Sequence, residues 1–255
     1  MIRPSAVPIE VDCSLFTGQQ VRVVIPEIVG TDIYRHGYIE PDLTRVLIGS
    51  LRPGAVFIDV GAHYGYHSLI ASQIVEPGGL VVAFEPTRGT FELLRRNVGD
   101  RSNVRARQAA LGEAPATVSL HDYGPSHSAL NTPLDGARVP AGERHRLRGE
   151  TYPVPCLSLD QFVTMEALAP DIVKLDAEGS ELSILRGMRR LLSDRGPMIT
   201  LETGDYQGMP GPRTGACIDY LESFGYRCLE YADGLRPHRR ESTYGYGNLY
   251  FVKSE

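Results

Sequence analysis

Short apolar runs alternate with amphipathic segments along most of this chain, and the first such pair gives the clearest pattern. Residues 56–58 form an apolar run that ends at Asp59. Gly61 and Gly65 then allow a tight turn, after which apolar residues recur at helical spacing. A second apolar run covers residues 80–84. The pattern predicts a strand, a glycine turn, a helix and a second strand, which is one unit of an open α/β sheet.

The same alternation continues to residue 252 and predicts further elements. Predicted strands lie at residues 104–108, 171–175, 198–201, 226–231 and 249–252. Predicted helices lie at residues 90–97, 178–192 and 214–224. Residues 121–150 differ, because prolines, glycines and polar residues are scattered there without a clear period. We interpret them as a long inserted loop that covers the site.

The segment before residue 51 contains a β-like run at residues 21–25 and a helix that begins after Glu40 and Pro41. We expect residues 1–50 to form an N-terminal cap on a Rossmann-like core at residues 51–255. A length of 255 residues and a hydrophobic content of 42% suit a single α/β domain with a modest insertion.

The turn after the first predicted strand carries the first candidate chemistry. In open α/β sheets ligands bind at the carboxyl ends of strands, and an acid that ends the next strand, here Glu85, can bind ribose hydroxyls. The turn from Gly61 to Gly65 reads GAHYG and lacks the glycine spacing that a dinucleotide's pyrophosphate needs. We expect Asp59 to point its carboxylate at this pocket, where it would favour a cationic ligand. The sulfonium and ammonium groups of S-adenosylmethionine meet that requirement, so the motif favours this cofactor.

A second group of acids follows the fourth predicted strand, where a transferable methyl group should lie. Asp176 and Glu178 could orient the methionine moiety, accept a proton from a hydroxyl or, with Glu202, hold a divalent cation. The spacing does not require a metal. Glu178 and Glu181 could also simply complement the dipole of a helix start. Lys174 lies inside an apolar strand, where we expect it to pair with a carboxylate.

Other polar side chains are weaker candidates. We expect His67, on the first helix, to point into packing and His127 to lie in the inserted loop. A single histidine is more often structural or solvated than catalytic. The basic run at residues 144–148 is interpreted as solvated, although it could meet an anionic substrate. Tyrosines such as Tyr206 could stack on a ring-shaped substrate, but they are spread too widely to decide this.

Three sequence blocks together resemble one protein family. The blocks read DVGAHYG at residues 59–65, FEP at residues 84–86 and KLDAEGSE at residues 174–181. In this order they are similar to the hallmarks of the FkbM-type family of S-adenosylmethionine-dependent methyltransferases. The resemblance implies a Rossmann-like class I methyltransferase sheet with strand order 3-2-1-4-5-7-6 and an antiparallel last strand. It also implies that Ala110, at the exit of the third strand, borders the adenine.

His63 stands where this family usually has asparagine. Either side chain can donate a hydrogen bond, but a His63 that titrates near neutral pH would make cofactor affinity pH-dependent. The candidate catalytic residues are Asp176 and Glu178. The candidate cofactor-binding residues are Asp59, Gly61, His63, Gly65, Tyr66, Ser68, Glu85, Pro86, Ala110 and Asp176.

Composition narrows the partners and the compartment. A net charge of −5 argues against a nucleic-acid partner, because counterion-release binding needs a basic face. The four cysteines lie far apart without metal-ligand spacing, which favours reduced thiols. The chain shows neither a signal-peptide core nor an apolar run of membrane-spanning length. We therefore expect a cytoplasmic protein without a membrane partner, and a homodimer through the N-terminal cap stays open.

The resemblance implies O-methylation, with a hydroxyl on a glycan or specialised metabolite as the acceptor. Three alternatives stay open at this point. The same pocket could serve an N- or carboxyl-methyltransferase that acts on a small molecule or peptide. A nucleotide-dependent oxidoreductase would need a degenerate fingerprint, and the missing glycines argue against it. The last alternative is a binding module that retains the cofactor without transferring a methyl group.

Overall fold

The computed structural model describes residues 7–131, 149–205 and 214–254. The N-terminal segment forms two antiparallel strands, β1 (Ile9–Ser14) and β2 (Gln20–Ile25), and two helices, α1 (Ile28–His36) and α2 (Pro41–Ser50). Pro41 suits the first turn of α2, because the N–H that it lacks would have no helical partner there. The sequence predicted β2 and α2 but neither β1 nor α1.

Strands and helices alternate through the rest of the chain. The first group is β3 (Val56–Val60), α3 (Tyr66–Val75), β4 (Leu80–Phe84), α4 (Arg88–Val98) and β5 (Val104–Arg107). The second group is β6 (Ala110–Leu111), β7 (Ala116–Asp122), a 3₁₀ helix (Pro125–Leu130), β8 (Glu150–Leu157) and α5 (Leu159–Met165). The third group is β9 (Ile172–Leu175), α6 (Glu181–Arg186), α7 (Arg189–Asp194), β10 (Met198–Thr203), α8 (Thr214–Glu222), β11 (Tyr226–Tyr231), β12 (Leu235–Pro237) and β13 (Gly247–Lys253).

The central sheet has eight strands in the order β12-β11-β13-β10-β9-β3-β4-β5. The five strands from β10 to β5 are parallel to one another, and β13 is antiparallel to both β10 and β11. With the edge strand β12 left aside, the strands of this sheet, counted along the chain, lie in the order 3-2-1-4-5-7-6. The predicted α/β class is confirmed, and β12 is an addition that the sequence did not indicate.

The central strands are mostly apolar, as expected for a sheet whose two faces are both covered. Phe57 and Ile58 are neighbours in β3, and each is 0% exposed. Consecutive strand residues point to opposite faces, so Ile58 packs in a cluster with Leu185 of α6, whereas Phe57 packs in a cluster with Val75 of α3. These two clusters fix the ends of β3 and β9, where the predicted acids lie.

The predicted insertion at residues 121–150 begins and ends as strand. β7 reaches Asp122 and β8 starts at Glu150, and the two strands pair antiparallel with Asp122 opposite Glu150. The sequence missed both strands and α5. The basic run at residues 144–148 lies outside the described residues.

The single helix predicted at residues 178–192 is wrong. Glu178 and Gly179 have φ angles of 53° and 96°, which no right-handed helix accommodates, so α6 begins only at Glu181. The helix then breaks at Gly187, where an added Cβ atom would lie 2.0 Å from the carbonyl oxygen of Gly112. The backbone at Gly187 packs closely against the loop after β6, and the predicted helix is divided there into α6 and α7.

Within the described ranges, every helix is too short or too polar to cross a lipid bilayer.

Candidate active site

A cavity of about 720 Å³ lies at the carboxyl ends of the parallel strands, where ligands bind in open α/β sheets. Its wall comes from the loops after β3, β4 and β9, from Glu202 near the end of β10, from α1 and from the segment that precedes α2. The predicted site residues that line it are Gly61, His63, Tyr66, Glu85, Pro86, Ala110, Asp176 and Glu178. The other predicted site residues are described by the structure but do not line the cavity; they are Asp59, Gly65 and Ser68.

The turn after β3 lies close to the backbone at the ends of β4 and β9. Gly61 has a φ of 72°, and a Cβ atom there would lie 1.7 Å from the carbonyl oxygen of Asp176. The amides of Gly61 and Ala62 both donate to the carbonyl oxygen of Phe84, at 3.0 and 2.9 Å. Gly65 has a φ of 87° immediately before α3. The two glycines are therefore required by conformation and by space, as their spacing predicted.

The predicted orientation of Asp59 is wrong. Asp59 is 0% exposed, its Oδ1 atom lies 3.3 Å from Nζ of Lys174, and its Oδ2 atom accepts a hydrogen bond from Ser68. Asp59 and Lys174 lie opposite each other in the register of β3 and β9. The ammonium on the neighbouring strand thus holds this carboxylate inside the sheet, away from the cavity.

Lys174 also reaches the cavity wall. Its Nζ atom lies 3.1 Å from Oδ2 of Asp176 and donates to the carbonyl oxygen of Gly61 at 3.2 Å. Burial alone would lower the pKa of Lys174, but the carboxylates of Asp176 and Asp59 outweigh burial and raise the pKa above its usual value. The predicted pairing of Lys174 with a carboxylate is confirmed.

Glu85 directly follows β4 and faces the cavity from a buried position. Its Oε1 atom accepts from the amide of Thr87 at 2.9 Å, and its Oε2 atom accepts from the amide of His63 at 3.1 Å. Burial raises the pKa of Glu85 to about 7 in spite of these hydrogen bonds. The Thr87 side chain also bonds to Glu85, but a carboxylate has about four lone-pair positions, so Glu85 can still accept a hydrogen bond from a ligand.

His63 connects the turn after β3 to the 3₁₀ helix. Its Nε2 atom lies 2.8 Å from Oγ of Ser128, and the hydroxyl of Tyr64 lies 3.3 Å from the same oxygen. The φ of His63 is 51°, a conformation that histidine and asparagine adopt more readily than most residues. Burial lowers the pKa of His63 to about 4, which argues against a titration near neutral pH.

Of the remaining predicted cofactor-binding residues, Tyr66 makes a polar contact, whereas Ala110 and Pro86 form an apolar part of the wall. The hydroxyl of Tyr66 lies 3.0 Å from that of Thr44 in α2, which leaves the ring at the cavity wall. Ala110 and the neighbouring Leu111 are buried, and with Pro86 they give this part of the wall an apolar surface.

Three carboxylates come together after β9 and at the end of β10. One oxygen each of Asp176, Glu178 and Glu202 lies within 4.8 Å of the others. Carboxylate oxygens at such distances can accept protons or serve as ligands for a hard divalent cation. The sequence suggested that these three acids could converge, and the structure places them together.

The sequence missed the part that residues before α2 and before β13 play in this cavity. Glu40 accepts a hydrogen bond from Nδ2 of Asn248 at 2.7 Å and lies 3.4 Å from the hydroxyl of Tyr246. His67, expected to point into packing, is buried but lines the same wall, with Nε2 3.7 Å from Oε2 of Glu40. The only signal for Glu40 was its position before Pro41, which indicated a helix start. His127 is not among the described residues that line the cavity, and Tyr206 lies outside the described ranges.

Comparison with known proteins gives a family match that includes part of this site. A family model described as the methyltransferase FkbM domain matches residues 59–228, about two thirds of the chain. The matched range contains the turn after β3, Glu85 and the acids after β9.

Two curated relatives and one solved structure are similar to parts of the chain. The hexuronic acid methyltransferase AglP of Haloferax volcanii is 32% identical over 155 residues, which cover 60% of this chain and 58% of AglP. The 31-O-demethyl-FK506 methyltransferase FkbM of Streptomyces tacrolimicus is 27% identical over 206 residues, which cover 72% of this chain and 77% of that protein. A methyltransferase FkbM structure from Methylobacillus flagellatus KT has a TM-score of 0.48 at 18% identity, with 88% of this chain and 60% of that chain covered. The match to AglP thus spans little more than half of that relative's length.

Proposed function

Because the chain belongs to the FkbM methyltransferase family, we propose that it transfers a methyl group from S-adenosylmethionine to a hydroxyl of a glycan or specialised metabolite. The observation that carries this proposal is the meeting of the Gly61 turn, Glu85 and Asp176 at one cavity. One relative supports a hydroxyl acceptor, since it is a 31-O-demethyl-FK506 methyltransferase, and a second, the hexuronic acid methyltransferase, supports a sugar.

The residues of the cavity fit this cofactor. Glu85 offers carboxylate lone pairs to ribose hydroxyls, and the missing Cβ atom of Gly61 lets the backbone of Asp176 approach the turn after β3. The apolar wall at Ala110 and Leu111 suits an adenine ring. Asp176 offers a carboxylate to an ammonium group. When bound, S-adenosylmethionine supplies a methyl group on an electrophilic sulfonium.

Methylation of a hydroxyl releases a proton, and the pKa of an alcohol is far above neutrality, so the reaction needs a base or a cation. The cluster of Asp176, Glu178 and Glu202 can act in either way. Turnover after dialysis against EDTA distinguishes the two. An unchanged rate assigns the proton to the carboxylates, whereas a rate that is lost and returns with Mg²⁺ assigns a cation to the cluster.

The experiment that tests the donor is calorimetric titration with S-adenosylhomocysteine. We expect the wild-type protein to bind it, and Glu85→Ala to weaken binding by about 10-fold or more, because hydrogen bonds to a carboxylate are lost. The matched control is Glu92→Ala, which removes an exposed carboxylate of α4 that pairs with Arg95. This variant should bind as the wild type does.

NADH serves as the second ligand in the same experiment. Binding of NADH without binding of S-adenosylhomocysteine would overturn the proposal and favour the nucleotide-dependent oxidoreductase. If S-adenosylhomocysteine binds but only amines are methylated, the hydroxyl acceptor is wrong and an N-methyltransferase is indicated.

A further inference from the structure

We propose that the acceptor binds where the N-terminal segment meets β13, and that it is an uncharged sugar ring rather than a sugar acid. This inference rests on the proposed function, because it assigns a substrate class to the same cavity. The part of the cavity in question is named the acceptor end. Its residues are Ile28, Tyr38, Glu40, His67, Glu202 and Tyr246.

The acceptor end adjoins the acids after β9 through a chain of contacts. Glu40 accepts a hydrogen bond from Asn248, and Asn248 lies opposite Glu202 in the register of β10 and β13. An oxygen of Glu202 lies within 4.8 Å of one from Asp176. A hydroxyl held at the acceptor end would therefore lie beside the carboxylates that can take up its proton.

The charge of the wall disfavours an anionic acceptor. Asp32, Glu40, Glu178 and Glu202 all line the cavity, as does Asp176. Among the described lining residues there is no arginine, and Lys174 is already shared between Asp59 and Asp176. A carboxylate group placed here would face like charges in a partly desolvated site, whereas hydroxyl groups can donate to these carboxylates.

Glu40 and His67 provide a specific place for a hydroxyl. Glu40 is held by Asn248 and Tyr246 through one oxygen, and its other oxygen lies 3.7 Å from Nε2 of His67. His67 is 4% exposed, and its Nε2 atom has no hydrogen-bond partner among the described residues. A hydroxyl can donate to Glu40 and also bond to a neutral imidazole, whereas an ionised carboxylate can only accept.

Apolar side chains at the same end suit the C–H face of a ring. Tyr38 is 44% exposed, Tyr246 is 63% exposed and Ile28 is 68% exposed, although all three line the cavity. Exposed aromatic and aliphatic groups beside converging polar groups are typical of binding surfaces. A sugar ring, apolar on its face and polar at its edge, matches both sets of residues.

The test compares acceptor pairs that differ in one group. The p-nitrophenyl glycosides of glucose, galactose and mannose carry a hydroxymethyl group where the corresponding uronides carry a carboxylate. Turnover is measured as S-adenosylhomocysteine released from S-adenosylmethionine. We expect kcat/KM for the preferred uncharged glycoside to exceed that of its uronide by about 10-fold or more.

Two variants connect this preference to the acceptor end. Glu40→Gln should lower kcat/KM for the uncharged glycoside by about 10-fold and narrow its advantage over the uronide, since a negative charge is removed. Tyr246→Ala alters a largely exposed side chain and should raise KM with little change in kcat. Glu92→Gln, on the exposed side of α4, should leave both acceptors unaffected.

Each contrary result is decisive. Preference for a uronide, or an unchanged preference in Glu40→Gln, would overturn the uncharged acceptor. If the protein binds S-adenosylhomocysteine but methylates none of these sugars, the sugar class is wrong and the proposed function still stands. If it does not bind S-adenosylhomocysteine, the proposed function itself fails.

Discussion

The Nζ atom of Lys174 lies 3.1 Å from Oδ2 of Asp176, so a buried ammonium holds one carboxylate of the candidate active site. The side chain of Lys174 is 3% exposed and that of Asp176 is 25% exposed. The ion pair therefore extends from the interior of the sheet to the cavity wall. Lys174 also contacts Asp59, so one side chain links the ends of β3 and β9. Loss of this cation would change both the stability of the sheet and the position of Asp176.

Lys174→Met tests the stability that this contact provides. The substitution leaves Asp59 as a buried carboxylate without its cation, which should lower the free energy of unfolding by about 3–5 kcal/mol. Denaturant unfolding measures this change. Arg95→Met is the control, because its ion pair with Glu92 has side chains 61% and 51% exposed. Such exposed pairs contribute about 1 kcal/mol or less, and equal losses in the two variants would contradict the role of Lys174.

The sequence predicted those parts of the site that depend on short segments. Gly61, Glu85 and Asp176 each follow a strand, and the carboxyl ends of parallel strands meet at one edge of a sheet. The predicted orientation of Asp59 failed because its partner is Lys174 on another strand. Glu40 and Tyr246 were missed because they lie near opposite ends of the chain and meet only in the folded protein.

Besides contacts between distant residues, the sequence did not reveal how deeply the titratable side chains of the site are buried. The expected titration of His63 near neutral pH used the ordinary value of histidine, but burial lowers its pKa to about 4. Burial disfavours the charged form of any group. It therefore lowers the pKa of His63, which is charged when protonated, and raises the pKa of Glu85, which is charged when deprotonated. Any pH dependence of cofactor affinity near neutral pH is therefore expected from Glu85 and not from His63.

Cofactor affinity should rise with pH as Glu85 ionises. The pKa of Glu85 is raised to about 7 in the ligand-free protein, and ribose hydroxyls donate to its ionised form. With that pKa, the ionised fraction grows about 10-fold between about pH 6 and about pH 8, and affinity for S-adenosylhomocysteine should follow it. Calorimetry at these pH values measures the change. Glu85→Gln should bind equally at all of them, and a wild-type affinity that falls with rising pH would contradict the assignment.

The same raised pKa has a consequence for stability. A carboxyl group with a higher pKa in the folded state binds more protons when folded, so the stability that it contributes is lost as pH rises from its unfolded pKa toward about 7. Thermal unfolding across this window should show a smaller loss for Glu85→Gln than for the wild type. Glu27 is also buried with a pKa raised to about 7 and should leave a remaining slope in that variant.

The hydrogen bond between His63 and Ser128 should contribute to cofactor binding by fixing the 3₁₀ helix against the turn after β3. A double-mutant cycle of His63→Ala and Ser128→Ala, followed by titration with S-adenosylhomocysteine, should give a coupling energy of about 1 kcal/mol. Thr151→Ala is the control, because Thr151 makes a similar 3.0 Å contact with His121 at an exposed position. Additive effects of the first two substitutions would show that the contact does not influence the cofactor site.

Gly61→Ala and Gly54→Ala separate conformation from close approach. Both glycines have a positive φ, 72° and 83°, but an added Cβ atom at Gly54 meets nothing within 4 Å. Gly54→Ala should therefore lower the free energy of unfolding by about 1–2 kcal/mol, the energy of a left-handed backbone for an L-residue. Gly61→Ala adds a collision with the carbonyl oxygen of Asp176 and should lower it by about 3 kcal/mol or more. Because that collision displaces the backbone of Asp176, only Gly61→Ala should also weaken binding of S-adenosylhomocysteine. Equal effects of the two variants on this binding would show that the close approach of the turn after β3 to Asp176 does not shape the site.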